Sequence, residues 1–555
     1  MTHEARLLPV LLAFCMFSTG ASGLVNEYVL ATITTYILGN SIEQFSIVIA
    51  LMMLMMGISG IVQQKLDDTN LVRKFILVEA AMAVLGGYAP VAIYGAYAGL
   101  ESHFLLVHYF FILAIGFLIG FEIPIVMRII EQQKVNLKTN LAIVYAMDYV
   151  GAFIGAVIWV KFLLRTFPLT EISFIVAGFN FLVAAVTVFY FVFKKVPGLG
   201  KMAPLTIMLV TASLAWGYAN NREMSDYLEQ HFYDDRIIYK KTTRYQHIVI
   251  TRNENLDETR LYLNGHTQFS SVDEKRYHEM LVHPAMKLSA NAENVLILGG
   301  GDGLALREVL KYRNTKTISV VDLDPEMIRL ASSHEKLTEL NRHAFRDARV
   351  KALSPGGITD TGVVSMMMEG ENEAQQTRVA SVTVFNLDAD RFLEIDTDIS
   401  RWEVVIIDLP DPASVELAKL YSKQFYTKLK RKLAPGAIVA LQATSPYHAK
   451  ESYLTVGRTL NAAGLKTVPY HVNVPSFGDW GFYLAWAGDP DIPEVRKRLS
   501  AIGKIDVATD YISPEIIAAS LVFGNDELRT ESDCVNTLMF PCLLSQYIDQ
   551  GWKIY

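Results

Sequence analysis

Residues 294–312 read NVLILGGGDGLALREVLKY. Asn294 to Leu298 form an apolar run with the length and composition of a buried strand. Glycines end it, and the segment from Leu304 has the spacing of an amphipathic helix. A strand, a glycine turn and a helix in that order open an α/β unit, and the turn lets a ligand approach the backbone at the helix start. Working outward, TISVVDLD (317–324) is a second buried strand, and PEMIRLASSH begins with proline at a helix start. ASVTVFNLDAD, EVVIIDLPDP and GAIVALQA supply three more strands. Strands alternating with helices predict a parallel, doubly wound sheet.

Upstream, IIYKKTTRYQHIVITRNE and TRLYLNGHTQFSS have the short alternation of exposed strands with turn residues between them. A small β-strand domain is therefore expected over 233–290 and the α/β domain over 291–500. Residues 351–378 have no sustained period and read as an insertion. The tail, 501–555, carries no chemical signal.

The first part of the chain has a different composition. Residues 1–203 contain 12 Lys/Arg and 11 Asp/Glu, leaving 38 and 46 of the chain's 50 and 57 to the remainder, a net charge of −8 there. Stretches long and apolar enough to cross a bilayer fall at about 8–36, 42–62, 75–97, 103–130, 141–164, 172–193 and 203–219. A helical membrane bundle of about seven spans over 1–220, with the lipid bilayer as partner, is the expectation. The first span contains Gly20, Gly23 and Glu27, where a kink or break is expected. Gly116/Gly120 and Gly151/Gly155 have the small-xxx-small spacing of closely approaching helices. Glu27, Glu122 and Asp148 fall inside apolar segments, where Asp at a span centre costs at least about 2.5 kcal/mol. They read either as a cation or proton path or as hydrogen bonds between helices.

Basic residues cluster in alternate loops, which puts the N-terminus in the cytoplasm. Seven spans would then leave the soluble part outside. Three cysteines make no disulfide framework, and Cys534 and Cys542 are expected as unpaired thiols in a reducing compartment. The acidic soluble part suits a cationic small molecule, and the lack of a basic run speaks against nucleic acid.

Asp302 sharpens the glycine loop. A carboxylate there repels a pyrophosphate, and equally the methionine carboxylate of S-adenosylmethionine, by roughly 4 kcal/mol at about 4 Å and an effective dielectric of 20. It attracts a primary ammonium, as in decarboxylated S-adenosylmethionine. Asp302 also reads equally well as a helix N-cap. Asp322 ends the second strand about 20 residues on, where an acid accepts ribose hydroxyls.

YLNGHTQFSSVDEKRYHEMLVHPAM, NVLILGGGDGLALREVLKY, VVDLDPEMI and IIDLPDP resemble, in that order, the motifs of the spermidine/spermine synthase family. The resemblance covers about residues 233–488, and the apolar first half looks like the membrane-embedded version of some bacterial members. It implies a Rossmann-like, methyltransferase-type catalytic fold and aminopropyl transfer from decarboxylated S-adenosylmethionine to a diamine, putrescine first. It implies no metal. Gln246, Gly299, Gly301, Asp302, Asp322, Asp388 and Ala389 would bind the cofactor. Tyr277, His278, Gln268, Asp411 and Phe477 would line the amine site, and Asp408 would orient or deprotonate the attacking amine. A homodimer is implied, as is a multi-pass place in the inner (plasma) membrane with the enzyme on the cytoplasmic side.

Two departures bear on the substrate. VPSFGDWGF places Phe477 where the family more often has tyrosine, and DLPDP replaces a more hydroxyl-rich motif. Cadaverine or a longer polyamine therefore stays open. An S-adenosylmethionine-dependent methyltransferase and a polyamine transporter or sensor are the competing readings.

Overall fold

In the computed structural model, which describes residues 4–38, 41–99, 103–132, 137–193, 202–346, 381–397 and 399–550, the chain divides into two units, Met1–Ile237 and Ile238–Tyr555. The long apolar runs of the first unit become long helices, since an apolar sequence leaves no water to satisfy any backbone group outside a helix. They are α1 (Glu4–Leu38), α2 (Ser41–Val62), α3 (Leu71–Gly99), α4 (Phe104–Gln132), α5 (Leu137–Ile158), α6 (Leu169–Phe193) and α7 (Met202–Gln230). Among the described residues, five helical stretches are long and apolar enough to cross a membrane: Glu43–Lys65, Leu71–Gly99, Phe104–Gln132, Leu141–Leu163 and Leu169–Thr187.

The expected break in α1 does not occur, and the helix runs through Gly20, Gly23 and Glu27. Its glycine serves a close approach instead. A Cβ on Gly20 would stand 2.3 Å from the Asp148 carbonyl oxygen of α5, and one on Gly151 would stand 2.0 Å from that of Phe17. Gly116 and Gly120 of α4 sit likewise on the backbone of α2 at Met52 and Met56. Both small-residue pairs are helix contacts.

The second unit opens with a four-stranded sheet in sequence order, β1 (Arg236–Thr242), β2 (His247–Asn253), β3 (Glu258–Leu263) and β4 (His266–Ser270). Helix α8 (Glu274–Leu288) leads into a seven-stranded sheet. Its strands are β5 (Asn294–Gly299), β6 (Thr317–Asp322), β7 (Ser381–Asn386), β8 (Trp402–Asp408), β9 (Leu433–Gln442), β10 (Lys466–Val474) and β11 (Gly478–Trp486), in the order β10-β11-β9-β8-β5-β6-β7. Helices α9 (Leu304–Val309) and α10 (Pro325–Ser333) follow β5 and β6.

Five strands, β9-β8-β5-β6-β7, are parallel, as the strand–helix alternation predicts. The last two correct that expectation, because β11 runs antiparallel to β9 and to β10. The turn Pro475–Phe477 is too short for the crossover a parallel pair requires. Val295 and Ile297 of β5 face one buried cluster while Leu296 and Leu298 face another. Burial on both faces explains the unbroken apolar run. The chain leaves β5 toward β6 and later returns on its other side as β8, so the strand order reverses between β5 and β8.

The insertion 351–378 lies outside the described residues. The tail is tied to the sheet by Glu279 of α8, fully buried, whose carboxylate accepts the backbone N–H of Asp510, Tyr511 and Ile512 at 2.8, 2.9 and 2.8 Å. Cys534 and Cys542 are joined in a disulfide, contrary to the expectation of free thiols. The chain returns between them so that their Cα atoms are 6.5 Å apart, which sequence spacing alone does not show. Beyond them lies α11 (Cys542–Gln550).

Glu279→Gln puts an amide N–H against backbone N–H donors. A loss of roughly 2–3 kcal/mol is expected. Unfolding of the full-length variant in detergent, followed by near-ultraviolet dichroism, measures it; an unchanged midpoint would show that the tail is not held this way.

Candidate active site

The reversal between β5 and β8 opens a crevice at the carboxyl edge of the sheet, where open α/β sheets bind ligands. The glycine loop enters it under tight constraint. A Cβ on Gly299 would stand 1.9 Å from the Asp408 carbonyl oxygen, and one on Gly301 would stand 2.5 Å from Asp322 Oδ2. Gly299 also has φ +84°, in the left-handed region that glycine alone adopts freely. The loop is held from both sides, since Gly300 N donates to the Asp408 carbonyl at 3.2 Å and Gly301 N donates to Asp322 Oδ2 at 3.0 Å.

Asp302 follows. Its Oδ1 accepts the Leu304 N–H at 2.9 Å, bracing the turn that enters α9, while the N-cap position itself is taken by Gly303 and not by Asp302. The same carboxyl group joins His278 and Asp408, with one ligand-type atom from each of the three within 4.8 Å of the others. Burial first, then the Asp408 charge, pushes the Asp302 carboxyl up to about 6, against the pull of His278 and the Leu304 N–H.

Helix α8 supplies the partners. Tyr277 donates its hydroxyl to Asp408 Oδ1 at 2.7 Å, and His278 Nε2 stands 3.9 Å from Asp408 Oδ2. On the far side of the ring, His278 Nδ1 lies 2.8 Å from the Glu274 carbonyl and 3.1 Å from Glu274 Oε2. Glu274 is clamped in turn by Arg307, Nη1 and Nη2 each at 2.8 Å. Burial alone would push the His278 imidazole down. The Glu274 carboxylate, with Asp302 and Asp408 beyond it, overcomes that and holds it up at about 9. The shift favours the charged imidazolium, whose Nε2 side faces Asp408.

The remaining sequence candidates surround this cluster to different degrees. Asp322 Oδ1 accepts the Asp324 N–H at 2.9 Å, so both carboxylate oxygens brace backbone turns. Burial pushes this carboxyl up to about 7. Gln246 Nε2 donates to Asp324 Oδ2 at 3.1 Å, which sets it beside the same turn. Asp388 and Ala389 follow β7, and the Asp388 carboxylate caps its turn at the Arg391 N–H and pairs with Lys419 at 2.9 Å. Asp411 follows β8, in a loop pinned by Tyr421, whose hydroxyl donates to the Leu409 and Pro410 carbonyls at 3.2 and 3.0 Å. Phe477 lies edge-on to Tyr277 at 6.1 Å and beside Trp480 at 4.9 Å, forming an aromatic wall. Gln268 stands apart, with its amide bonded to the His266 carbonyl at 3.2 Å on β4. Among the described residues, no hydrogen bond carries it to the carboxylates.

Sequence reasoning missed three participants. Glu274, one helical turn before His278, was visible as an i,i+4 pair on an apolar helix face. Arg307 was visible only as a basic residue in an otherwise apolar stretch. Tyr547 of α11 donates to Asp411 Oδ2 at 2.9 Å, and nothing in the sequence pointed to a tail residue 136 positions away.

Residues 274–360 and 362–496 match the spermine/spermidine synthase domain. Polyamine aminopropyltransferase 1 of Streptomyces coelicolor is 36% identical over 100% of this chain and 96% of its own length. Polyamine aminopropyltransferase 2 of Ralstonia nicotianae is 37% identical over 98% of both chains. Among solved structures, spermidine synthase in complex with the transition state analogue AdoDATO aligns with 53% of this chain and 88% of its own, at 23% identity and a TM-score of 0.41. Likeness to these relatives extends through the helical unit as well as the sheet, and the chain belongs to the polyamine aminopropyltransferase family.

Proposed function

We propose that the chain transfers an aminopropyl group from decarboxylated S-adenosylmethionine to a diamine, putrescine first, releasing 5′-methylthioadenosine. The observation that carries this is the meeting of Asp302, in the glycine turn, with Asp408 at the end of β8. Such a turn ordinarily cradles an anion, and here it adjoins two carboxylates. Asp302 receives the ammonium of the aminopropyl arm, Asp322 and Gln246 the ribose side, and the backbone at Asp388–Ala389 the adenine. Gly299 and Gly301 let the cofactor come close to the loop.

Tyr277, Asp411, Phe477 and Trp480 line the amine side, with apolar faces suited to a polymethylene chain and cation–π attraction for its ends. Asp408, oriented by the Tyr277 hydroxyl, takes a proton from the incoming ammonium, whose pKa near 10 leaves little free amine at neutral pH. The amine lone pair then attacks the carbon of the aminopropyl arm that is bonded to the sulfonium sulfur. The carbon–sulfur bond breaks and its electrons neutralise the sulfonium, so the leaving group departs as a neutral thioether. His278 holds its charge beside both aspartates and pulls against the burial that raises the Asp302 carboxyl. The acid-rich crevice counts against an ordinary methyltransferase, whose cofactor carries its own carboxylate.

The helical unit is proposed to span the plasma membrane, with the catalytic unit on the cytoplasmic side, where its cofactor is made. An odd number of spans, as in the five candidates among the described residues, with an inward N-terminus, and the Cys534–Cys542 disulfide favour the opposite side. A C-terminal green fluorescent protein fusion decides between them: fluorescence is expected for a cytoplasmic terminus, and export to the oxidising side would abolish it.

Asp408→Asn is expected to lower kcat for methylthioadenosine release by about 10²- to 10⁴-fold while cofactor affinity changes little. Equal losses in both would make Asp408 a binding residue only. Cofactor binding to the free enzyme should weaken as pH falls through about 6, because the raised Asp302 carboxyl becomes protonated there while the cofactor amine stays charged. Calorimetric titration should give about tenfold loss per pH unit below that point. Asp302→Asn should bind weakly at every pH, with that slope gone.

A further inference from the structure

The helical unit contains an unusual concentration of buried polar groups. Glu79 of α3 and Glu122 of α4 are 1% and 2% exposed. Asn180 of α6 donates its Nδ2 to Glu79 Oε2 at 2.6 Å, and Thr19 of α1, whose hydroxyl donates to the Met16 carbonyl at 3.2 Å, lies beside Glu122. Cys15 Sγ of α1 meets Thr187 Oγ1 of α6 at 2.9 Å and lies within electrostatic reach of both glutamates. Asp148 of α5 is within reach of Glu122. Side chains from five helices thus converge on one place. The sequence reading singled out Glu122 and Asp148 but passed over Glu79.

Donors and acceptors do not balance there. Glu79 Oε1, Glu122 Oε1, Asn180 Oδ1 and the hydroxyls of Ser18 and Ser22 have no hydrogen-bond partner among the described residues. Ser18 and Ser22 are 0% and 2% exposed. Helical periodicity puts both on the face of α1 that carries Cys15, Thr19 and Asn26, and Asn26 faces Gly86 of α3. Ser18 and Ser22 thus share a buried face of α1 whose Asn26 meets α3, the helix of Glu79. Basic side chains are committed elsewhere: Lys74 to Asp67, Arg128 to Asp68 and Arg222 to Glu171. Among the described residues, no Lys or Arg pairs with Glu79, Glu122 or Asp148.

Three of the unpartnered atoms are pure acceptors, and two of them are carboxylate oxygens. What the cluster lacks is a carrier of several N–H donors and positive charge that brings no acceptor of its own. An alkylammonium group has three such donors. A proton supplies one donor per carboxyl and leaves the Asn180 oxygen unmet.

We propose that this cluster is a second cation site, in which Glu79 and Glu122 hold an ammonium group of an alkyl polyamine. Asn180, Ser18 and Ser22 complete its oxygen lining. The site does not depend on the transfer chemistry, because none of its residues belongs to the catalytic unit.

Equilibrium dialysis of full-length protein in detergent against radiolabelled spermidine tests this. Wild type should bind one more equivalent than Glu122→Gln or Glu79→Gln, or hold it about thirtyfold more tightly. Methylthioadenosine formation should stay unchanged, which also reports that the variants fold. Equal binding in wild type and variants would overturn the proposal. So would displacement of the extra equivalent by equimolar sodium or magnesium, which would mark a metal site. A measurement on wild type alone guards against misfolded variants: carbodiimide modification of Glu79 and Glu122, read by mass spectrometry, should slow at least about tenfold in spermidine. Modification at the same rate with and without spermidine would leave protonation as the occupant and sink the proposal.

Discussion

The catalytic unit depends on one close approach, that of the Gly299 backbone to the Asp408 carbonyl. Any side chain at 299 would force β5 and β8 apart at their carboxyl ends, and the strand order reverses at that place. Because the glycine loop lies against the end of β8, the next two acids in the two segments, Asp302 and Asp408, are brought to one point. They come from residues 106 apart, each placed by a strand end whose register is fixed along its length. The two carboxylates follow from sheet geometry rather than from any local loop preference.

Two ionised aspartates so close together are costly unless something offsets them. Glu274 and Arg307 provide the offset indirectly. Arg307 fixes Glu274 from two nitrogens, Glu274 fixes the ring of His278, and the charge on that ring faces the aspartates. Each member is buried and has its partner, which a half-satisfied network would not allow. One glutamate therefore has a consequence two residues away from any ligand, because it sets the protonation of the imidazole.

Much of this was legible in the sequence. The central strands, the glycine loop and the membrane-like first half came from periodicity and charge density, signals that short windows contain. Asp302, Asp408 and Tyr277 stood inside motifs whose order carried a family resemblance. Contacts made by chain return were not legible. The antiparallel β10–β11 pair, the Cys534–Cys542 bridge and Tyr547 on Asp411 depend on where distant segments come back in space. Asp302 also shows how near two readings of one residue can lie, since Gly303 takes the N-cap position while an Asp302 oxygen braces the same turn and its carboxyl group meets His278 and Asp408. Gln268 shows the opposite, a motif position whose amide is occupied on its own strand.

The two units handle buried acids in different ways. In the catalytic crevice His278 offsets part of the negative charge in advance, so an incoming cation meets acids that already have a counter-charge beside them. In the helical unit the described residues supply no such counter-charge. Glu79 and Glu122 share only amide, hydroxyl and thiol neighbours, in surroundings where an isolated carboxylate is strongly disfavoured. A group of the first kind can release a product, because it tolerates being vacant. A group of the second kind has to take up a proton or a cation whenever it is emptied. Loading and unloading of such a site are therefore linked to the protonation of its glutamates, whichever cation it carries.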